Sequence, residues 1–335
     1  MKSDRICVIN NAEAEREWCW IEPLMPDGHR YNWQFVSAKK RGLLETRFPL
    51  AHMGRIRAGF ETRKLLANGP TDVLFSHGPH LAFYTALAMQ GVKNRTQHIA
   101  FSFNFSDLPR PSLRKLMTRV YRHIDRFTVY SQMEVELYSR IFDIPTDRFD
   151  FIRWSARPPI GSADQRAIDA PYFVALGGEA RDYQTLLQTA AMMPGTKFVF
   201  ILRPHNLAGH PVPDNVTIFC NLDYQKAWSL VANAEAALLP LRSAETPNGH
   251  VTLVGTMHLG KAQIVTASAG LADYVSHNET AILVPPRNPK AFCEAIKELQ
   301  QNPALVETIG ANARIFAQKN CSEQNVIDYF RRIAQ

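Results

Sequence analysis

Short, unbroken apolar runs separated by amphipathic stretches recur along almost the whole chain, and this alternation narrows the folds open to it more than any other feature. In the first half the runs are RICVINN at 5–11, WQFVSA at 33–38, DVLFSHG at 72–78, QHIAFSF at 97–103, RFTVYS at 126–131 and FDFIRW at 149–154. In the second half they are YFVALGG at 172–178, FVFILRP at 198–204, VTIFC at 216–220, AEAALLPL at 234–241, QIVTA at 263–267 and AILVPP at 281–286. Such runs suit strands covered on both faces. Between them, helical periodicity predicts helices over 54–69, 80–90, 111–127, 132–142, 182–193 and 224–233. Strand-helix alternation with short connections predicts an α/β fold built on parallel, doubly wound sheets. The segment 154–171, WSARPPIGSADQRAIDAP, loses the period and gathers Pro, Ser, Gly and Ala, as an interdomain linker does. A chain of 335 residues then divides into two domains, 1–157 and 158–321, of roughly 150–170 residues each. Terminal helices are expected over 288–301, 303–318 and 322–334.

Charge is unevenly placed. Residues 1–157 hold 24 Lys+Arg against 16 Asp+Glu, while the remainder holds 14 against 15. A basic half suits a membrane surface or a polyanionic acceptor, and without a helix-turn-helix, zinc-finger or RNP signature it does not suggest nucleic acid. The five cysteines (Cys7, Cys19, Cys220, Cys293, Cys321) are scattered, with no metal-ligand spacing, so they read as reduced thiols of a cytoplasmic protein with no bound metal. The beginning MKSDRICVIN goes straight from charge into a strand, and no apolar run approaches the ~18 residues of a membrane span. Any membrane contact is therefore expected to be peripheral, on the inner face of the plasma membrane.

The stretch from Glu245 to Pro286 concentrates the chemistry. It parses as a polar loop, a helix opening after Pro247-Asn248-Gly249, a strand, a short helix behind Gly270 and a second strand. Loops and helix mouths after parallel strands gather on the sheet edge where ligands sit. With Gly249 at the helix mouth, the unpaired N–H groups of His250, Val251 and Thr252 can face an anion, with Asn248 beside them and the Thr252 hydroxyl as a further donor; a diphosphate suits such a mouth. A plain capping turn is the alternative. In YFVALGGEARDYQTLL, Gly177-Gly178 follow a strand and Arg181 precedes a helix, so the backbone can approach a phosphate closely and Arg181 can neutralise it. Arg203, at the end of FVFILRP, has a lesser claim. Asn221 and Asp223 either meet a nucleotide base or cap the next helix.

These residues carry a resemblance. The segment is similar to the C-terminal part of nucleotide-sugar glycosyltransferases of the GT-B fold, in particular the large retaining family (glycosyltransferase family 4-like), whose pattern reads E-G-F-G-x-x-x-x-E-A-M-A-x-G-K-P-V-V, then Gly, an acidic residue and G-x-L-V-x-P. Met257, Gly260, Lys261, Val265, Gly270, Asp273, Leu283, Val284 and Pro285 fall in step with it. Pro247 and Gly255 stand where the family has its two glutamates, near the sugar and at the donor ribose; Glu245, two residues early, can replace the first only through a rebuilt loop. The resemblance implies a GT-B fold, two Rossmann-like domains facing a cleft, with the donor on the C-terminal domain, the acceptor on the N-terminal one, and helix 322–335 packing back on the latter. It implies transfer from a UDP-, GDP- or dTDP-sugar to a saccharide or lipid-linked saccharide in bacterial polysaccharide or glycolipid assembly, without a cofactor and independent of metal. A non-catalytic nucleotide-sugar binder and a GT-B epimerase are the alternatives.

On the N-terminal side, strand ends offer His77 and His80 in SHGPH and Asn104 and Asp107 in SFNFSDLPRP. Asp107 is the carboxylate there, hence the candidate base or acceptor-orienting group; capping the next helix is its alternative. The predicted helix 111–127 carries an apolar stripe with Arg114, Lys115, Arg119, Arg122 and Arg126 around it. Such a helix can lie on anionic lipid, or its stripe can cover its own sheet.

Overall fold

The computed structural model describes residues 6–12, 31–42, 52–92, 96–156, 159, 168, 171–207, 209–245 and 247–333. The chain forms two compact units, Met1–Ile152 with Gln324–Gln335, and Arg153–Glu323.

The first unit holds a six-stranded sheet of β1 (Ile6–Ala12), β2 (Tyr31–Ser37), β3 (Val73–His77), β4 (Gln97–Phe101), β5 (Arg126–Val129) and β6 (Phe149–Phe151), in the order β2-β1-β3-β4-β5-β6. Every pairing is parallel. Helices α1 (Met53–Asn68), α2 (Pro79–Ala88), α3 (Pro111–Tyr121) and α4 (Gln132–Phe142) make the crossovers. Because neighbouring residues on a strand point to opposite faces, the packing assigns the layers. Ile9 and Leu74 cluster with Ala58 and Leu66 of α1, and Ala100 and Phe127 with α2, α3 and α4. Val8, Phe75, Ile99 and Phe101 instead cluster with Val326, Tyr329 and Phe330, which lie on the terminal helix α10 (Glu323–Ile333). One face of the sheet thus carries α1 to α4 and the other carries α10.

The expected helix 111–127 is shorter than its period suggested. It ends at Tyr121, the chain turns at His123 and Ile124, and the Asp125 carboxylate accepts the His98 N–H at 2.7 Å, pinning the turn to β4. Arg126 opens β5 and forks onto Asp150 of β6, with Nε donating at 2.6 Å. Ile124 and Phe127 are therefore buried from a turn and a strand, while Leu113 and Leu116 on the helix stay exposed.

The second unit repeats the plan with β7 (Phe173–Leu176), β8 (Phe198–Leu202), β9 (Val216–Cys220), β10 (Ala236–Leu239), β11 (Gln263–Thr266) and β12 (Ile282–Val284), again all parallel, in the order β12-β11-β10-β7-β8-β9. Its helices are α5 (Tyr183–Met192), α6 (Tyr224–Asn233), α7 (His250–His258), α8 (Pro289–Gln301) and α9 (Pro303–Asn320). The short helix expected behind Gly270 is a single 3-10 turn, Ala269–Leu271. From β7 the chain progresses outward through β8 and β9, then returns to start the other wing at β10. The β7/β10 boundary is consequently the point where the winding reverses, and the loops after these two strands diverge around a crevice suited to a ligand.

Candidate functional site

The two loops at that reversal are stitched together. Arg181 and Leu241 form an antiparallel bridge, Asp182 N–H donates to Pro240 O at 3.2 Å, and Arg242 N–H to Ala180 O at 3.1 Å. The β7 loop needs its glycines: Gly177 has φ 116°, where side chains are strained, and a Cβ there would lie 2.9 Å from Arg181 Nη2. The guanidinium folds back over Gly177. Asp182 then caps α5, accepting from Thr185 N–H at 3.1 Å, which fixes where Arg181 sits relative to the helix start.

Arg181 is only 9% exposed, and its hydrogen-bond partners among the described residues are all neutral: Nη1 donates to Glu179 O at 2.9 Å, Nε to Leu176 O at 3.3 Å and Nη2 to Thr252 Oγ1 at 2.9 Å. The nearby Glu179 carboxylate is engaged by Arg203 Nη1 at 3.2 Å instead, on the surface. Burial lowers the Arg181 pKa to about 10, which leaves it protonated at neutral pH. A desolvated cation with no carboxylate hydrogen-bonded to it among the described residues is costly unless an anion joins it.

Two further sources of positive potential lie at the same place. Helix α7 starts at Gly249 (φ 102°) with no side-chain cap, so first-turn N–H groups such as those of Val251 and Thr252 have no intrahelical acceptor. Asn248 is 8% exposed, and among the described residues its Nδ2 has no hydrogen-bond partner. A guanidinium, a helix mouth and an amide donor thus come together on the rim of one parallel sheet, groups whose chemistry can take an anion.

Several expected ligand contacts are used differently. The Thr252 hydroxyl does not stand free at the mouth; it accepts from Arg181 and donates to Leu176 O at 3.4 Å, so it positions the guanidinium. The His250 ring is buried against Tyr274, with Nε2 bonded to Gly270 O at 3.0 Å, and burial lowers its pKa to about 4. Its side chain braces the loop, because a neutral imidazole donating to a carbonyl has its N–H committed; only its backbone belongs to the mouth. Val251 is exposed beside it. Gly178 packs under Arg203 and Asn206, whose Nδ2 donates to Gly178 O at 2.8 Å. Asn221 is exposed in a left-handed turn (φ 53°), while Asp223 caps α6 by accepting from Lys226 N–H at 2.9 Å. Glu245 lies on an exposed turn, its N–H bonded to Ser243 Oγ at 3.0 Å.

Packing accounts for the glycines at 270 and 255. Gly270 passes so close to Pro247 that an added Cβ would lie 2.6 Å from its Cα, and a Cβ on Gly255 would run into the buried indole of Trp228. The ring of α6 thus fills the space beside α7, a long-range contact with no sequence signal.

In the first unit, Asn104 Nδ2 donates to Glu134 Oε1 at 2.9 Å. Glu134, overlooked in the sequence, is fully buried at the start of α4, where its carboxylate also accepts from Tyr130 N–H and Ser131 Oγ. Burial raises its pKa to about 7 against these bonds. Ser131-x-x-Glu134 is a capping-box pattern and was the one signal available. Asp107 is exposed on the loop before α3; His77 and His80 are half-buried near Phe101 and Phe105. Of the expected lipid-facing cations, Lys115 and Arg119 are exposed, but Arg122 pairs with Asp143 at 2.8 Å and Arg114 Nη2 donates to Pro109 O.

The fold is GT-B: two Rossmann-like units, each a six-stranded parallel sheet flanked by helices. Within it, residues 206–316 match the family model described as glycosyl transferases group 1. No curated protein matches the chain's sequence. Among solved structures, a sucrose-phosphate synthase from Thermosynechococcus elongatus superposes with TM-score 0.74 at 16% identity, covering 98% of both chains. Anabaena HepE in complex with UDP-glucose gives 0.73 at 12%, with 98% of each chain covered. The lipopolysaccharide outer core galactosyltransferase WaaB gives 0.67 at 13%, covering 98% of this chain and 99% of that one.

Proposed function

We propose that this protein is a glycosyltransferase that uses a nucleoside diphosphate sugar, with the donor's diphosphate at the mouth of α7. The buried Arg181, lacking a carboxylate partner among the described residues, carries the reading. Support comes from the group 1 match over 206–316 and from HepE, a protein of similar fold bound to UDP and to UDP-glucose.

When the glycosidic bond breaks, negative charge grows on the departing diphosphate. Arg181, held by Thr252 Oγ1 and two carbonyls, together with the α7 N–H groups and Asn248 Nδ2, stabilises that charge without reorganising. In this reading those donors do what a metal ion does elsewhere, and the reaction needs none. The acceptor is a saccharide or lipid-linked saccharide, positioned by the loop of Asn104 and Asp107, with assembly of a bacterial polysaccharide or glycolipid as the setting. A non-catalytic nucleotide-sugar binder is the second reading, favoured by one observation: Glu245 is exposed while Pro247 and Gly255 are packed, so neither family glutamate position offers a carboxylate among the described residues.

The test is a turnover assay with UDP-, GDP- and dTDP-sugars, following nucleotide release with and without saccharide acceptors. Release that depends on Arg181 supports the transferase; tight binding without release supports the binder.

A further inference from the structure

The first unit's exposed large hydrophobic side chains gather on one layer. Among its described residues they are Met53, Ile56 and Phe60 on α1, Leu87 on α2 and Leu113 and Leu116 on α3, with Leu108 on the loop leading into α3. Phe60 is 60% exposed, against 0–7% for most aromatic rings of this unit's core. Several large apolar side chains exposed on one helical layer suit an interaction site.

The helices of this layer are also tied to one another. Gly59 lets α1 approach α2 so closely that a Cβ would lie 2.8 Å from Tyr84 O. Arg63 Nη1 of α1 donates to Ala88 O at 2.8 Å and to Gln90 O at 3.2 Å, satisfying carbonyls at the end of α2. From α3, Tyr121 Oη donates to Pro79 O at 2.9 Å at the start of α2. The three helices thus present a preformed face.

Charge decides what that face fits. Residues 53–122 contain 11 Lys+Arg and 3 Asp+Glu, an excess as large as that of the whole first half. Lys64, Arg110, Lys115 and Arg119 are exposed and make no ion pair among the described residues. A second copy seated on the same face would oppose like charges, which argues against symmetric self-association. No described helix is long and apolar enough to cross a membrane, so insertion as a span does not account for the exposed apolar residues.

We propose that the outer face of α1, α2 and α3 docks on an anionic lipid bilayer, with Phe60, Leu113 and Leu116 entering the boundary between headgroups and acyl chains. Lys64, Arg110, Lys115 and Arg119 meet the anionic headgroups. The two contributions act together, since apolar insertion or a few cations alone give only weak, reversible attachment. This docking is independent of the donor reading. It also places the loop of Asn104 and Asp107, which continues through Leu108 and Arg110 into α3, at the margin of the lipid surface.

The test is co-sedimentation of the full chain with vesicles of phosphatidylcholine alone, and with about 30% phosphatidylglycerol, at low salt and at about 0.5 M salt. Wild type is expected to sediment with the anionic vesicles only, and less at high salt. Two double variants, Phe60→Ser with Leu116→Ser and Lys115→Glu with Arg119→Glu, should each lower partitioning about tenfold or more while keeping the melting temperature. A control pair on α8, Lys290→Glu with Lys297→Glu, should stay within about twofold of wild type. Absence of wild-type binding, unchanged binding by the face variants, or an equal loss in the control pair would overturn the proposal. So would wild-type oligomers that the Phe60→Ser/Leu116→Ser pair converts to monomers with no change in vesicle binding, an outcome that assigns the face to a second copy.

Discussion

Arg181 shows how a single residue's environment limits its role. Its partners are neutral, so removing it should cost the unliganded protein little: relief of a desolvated cation offsets the lost bonds, and Arg181→Ala should lie within about 1–2 kcal/mol of wild type in urea unfolding. The kinetic effect should be larger and specific, with kcat falling more than donor affinity, because the lost interaction strengthens as charge develops. A change confined to KM would make Arg181 a ground-state anchor. Gly255→Ala should destabilise by about 1–3 kcal/mol, since the Trp228 ring must move, and Gly255→Glu by more, with no gain in donor affinity. Urea unfolding and donor titration check both. The position of Arg181 beside Gly177-Gly178 was legible in the sequence because a strand, two glycines and a basic residue are neighbours in the chain. Its bond to Thr252, and the indole against Gly255, were not, since each joins residues brought together only by the β7/β10 and α6/α7 packing.

At the scale of elements, most strands and helices could be read because parallel strands buried on both faces are unbroken apolar runs. Helix 111–127 was overextended for a physical reason: Ile124 and Phe127 continue a 3.6-residue stripe by position, yet they are buried by a turn and a strand. Glu134 escaped because a buried carboxylate looks like a surface charge until its partners are seen. Its folded pKa, about 7, lies above the ordinary value of 4.5, so the native state holds a proton that the unfolded chain has lost between these values. Stability from this group is therefore present at low pH and declines as pH rises from about 4.5 to 7. Asn104, Tyr130, Ser131 and Tyr138 are the groups facing it. Glu134→Gln should flatten that slope, and unfolding measured at about pH 5 and pH 7.5 should show the difference between variant and wild type shrinking at the higher pH. An unchanged pH slope would remove Glu134 as its source.

For the whole molecule, the terminal helix α10 belongs to the first unit although the chain reaches it from the second. Tyr329 Oη donates to Asp150 Oδ2 at 2.9 Å, joining α10 to the Arg126–Asp150 pair, while Phe330 packs on Tyr31, Trp33 and Phe75. Tyr329→Phe should cost about 1–2 kcal/mol, read as a lower denaturant midpoint of the first unit's transition. The helix itself was legible from its period, and its docking from the family resemblance; the aromatic and ionic contacts that hold it were not. Calorimetric titration of UDP, GDP and dTDP, and of the corresponding sugars, into wild type and Arg181→Ala tests the central claim most directly. At least one nucleoside diphosphate should bind wild type, and Arg181→Ala should weaken it by about tenfold or more, with a smaller loss for the intact nucleotide sugar, whose diphosphate carries less charge. Failure of every nucleoside diphosphate to bind the folded wild type, or equal binding by Arg181→Ala, would contradict a diphosphate site at the mouth of α7.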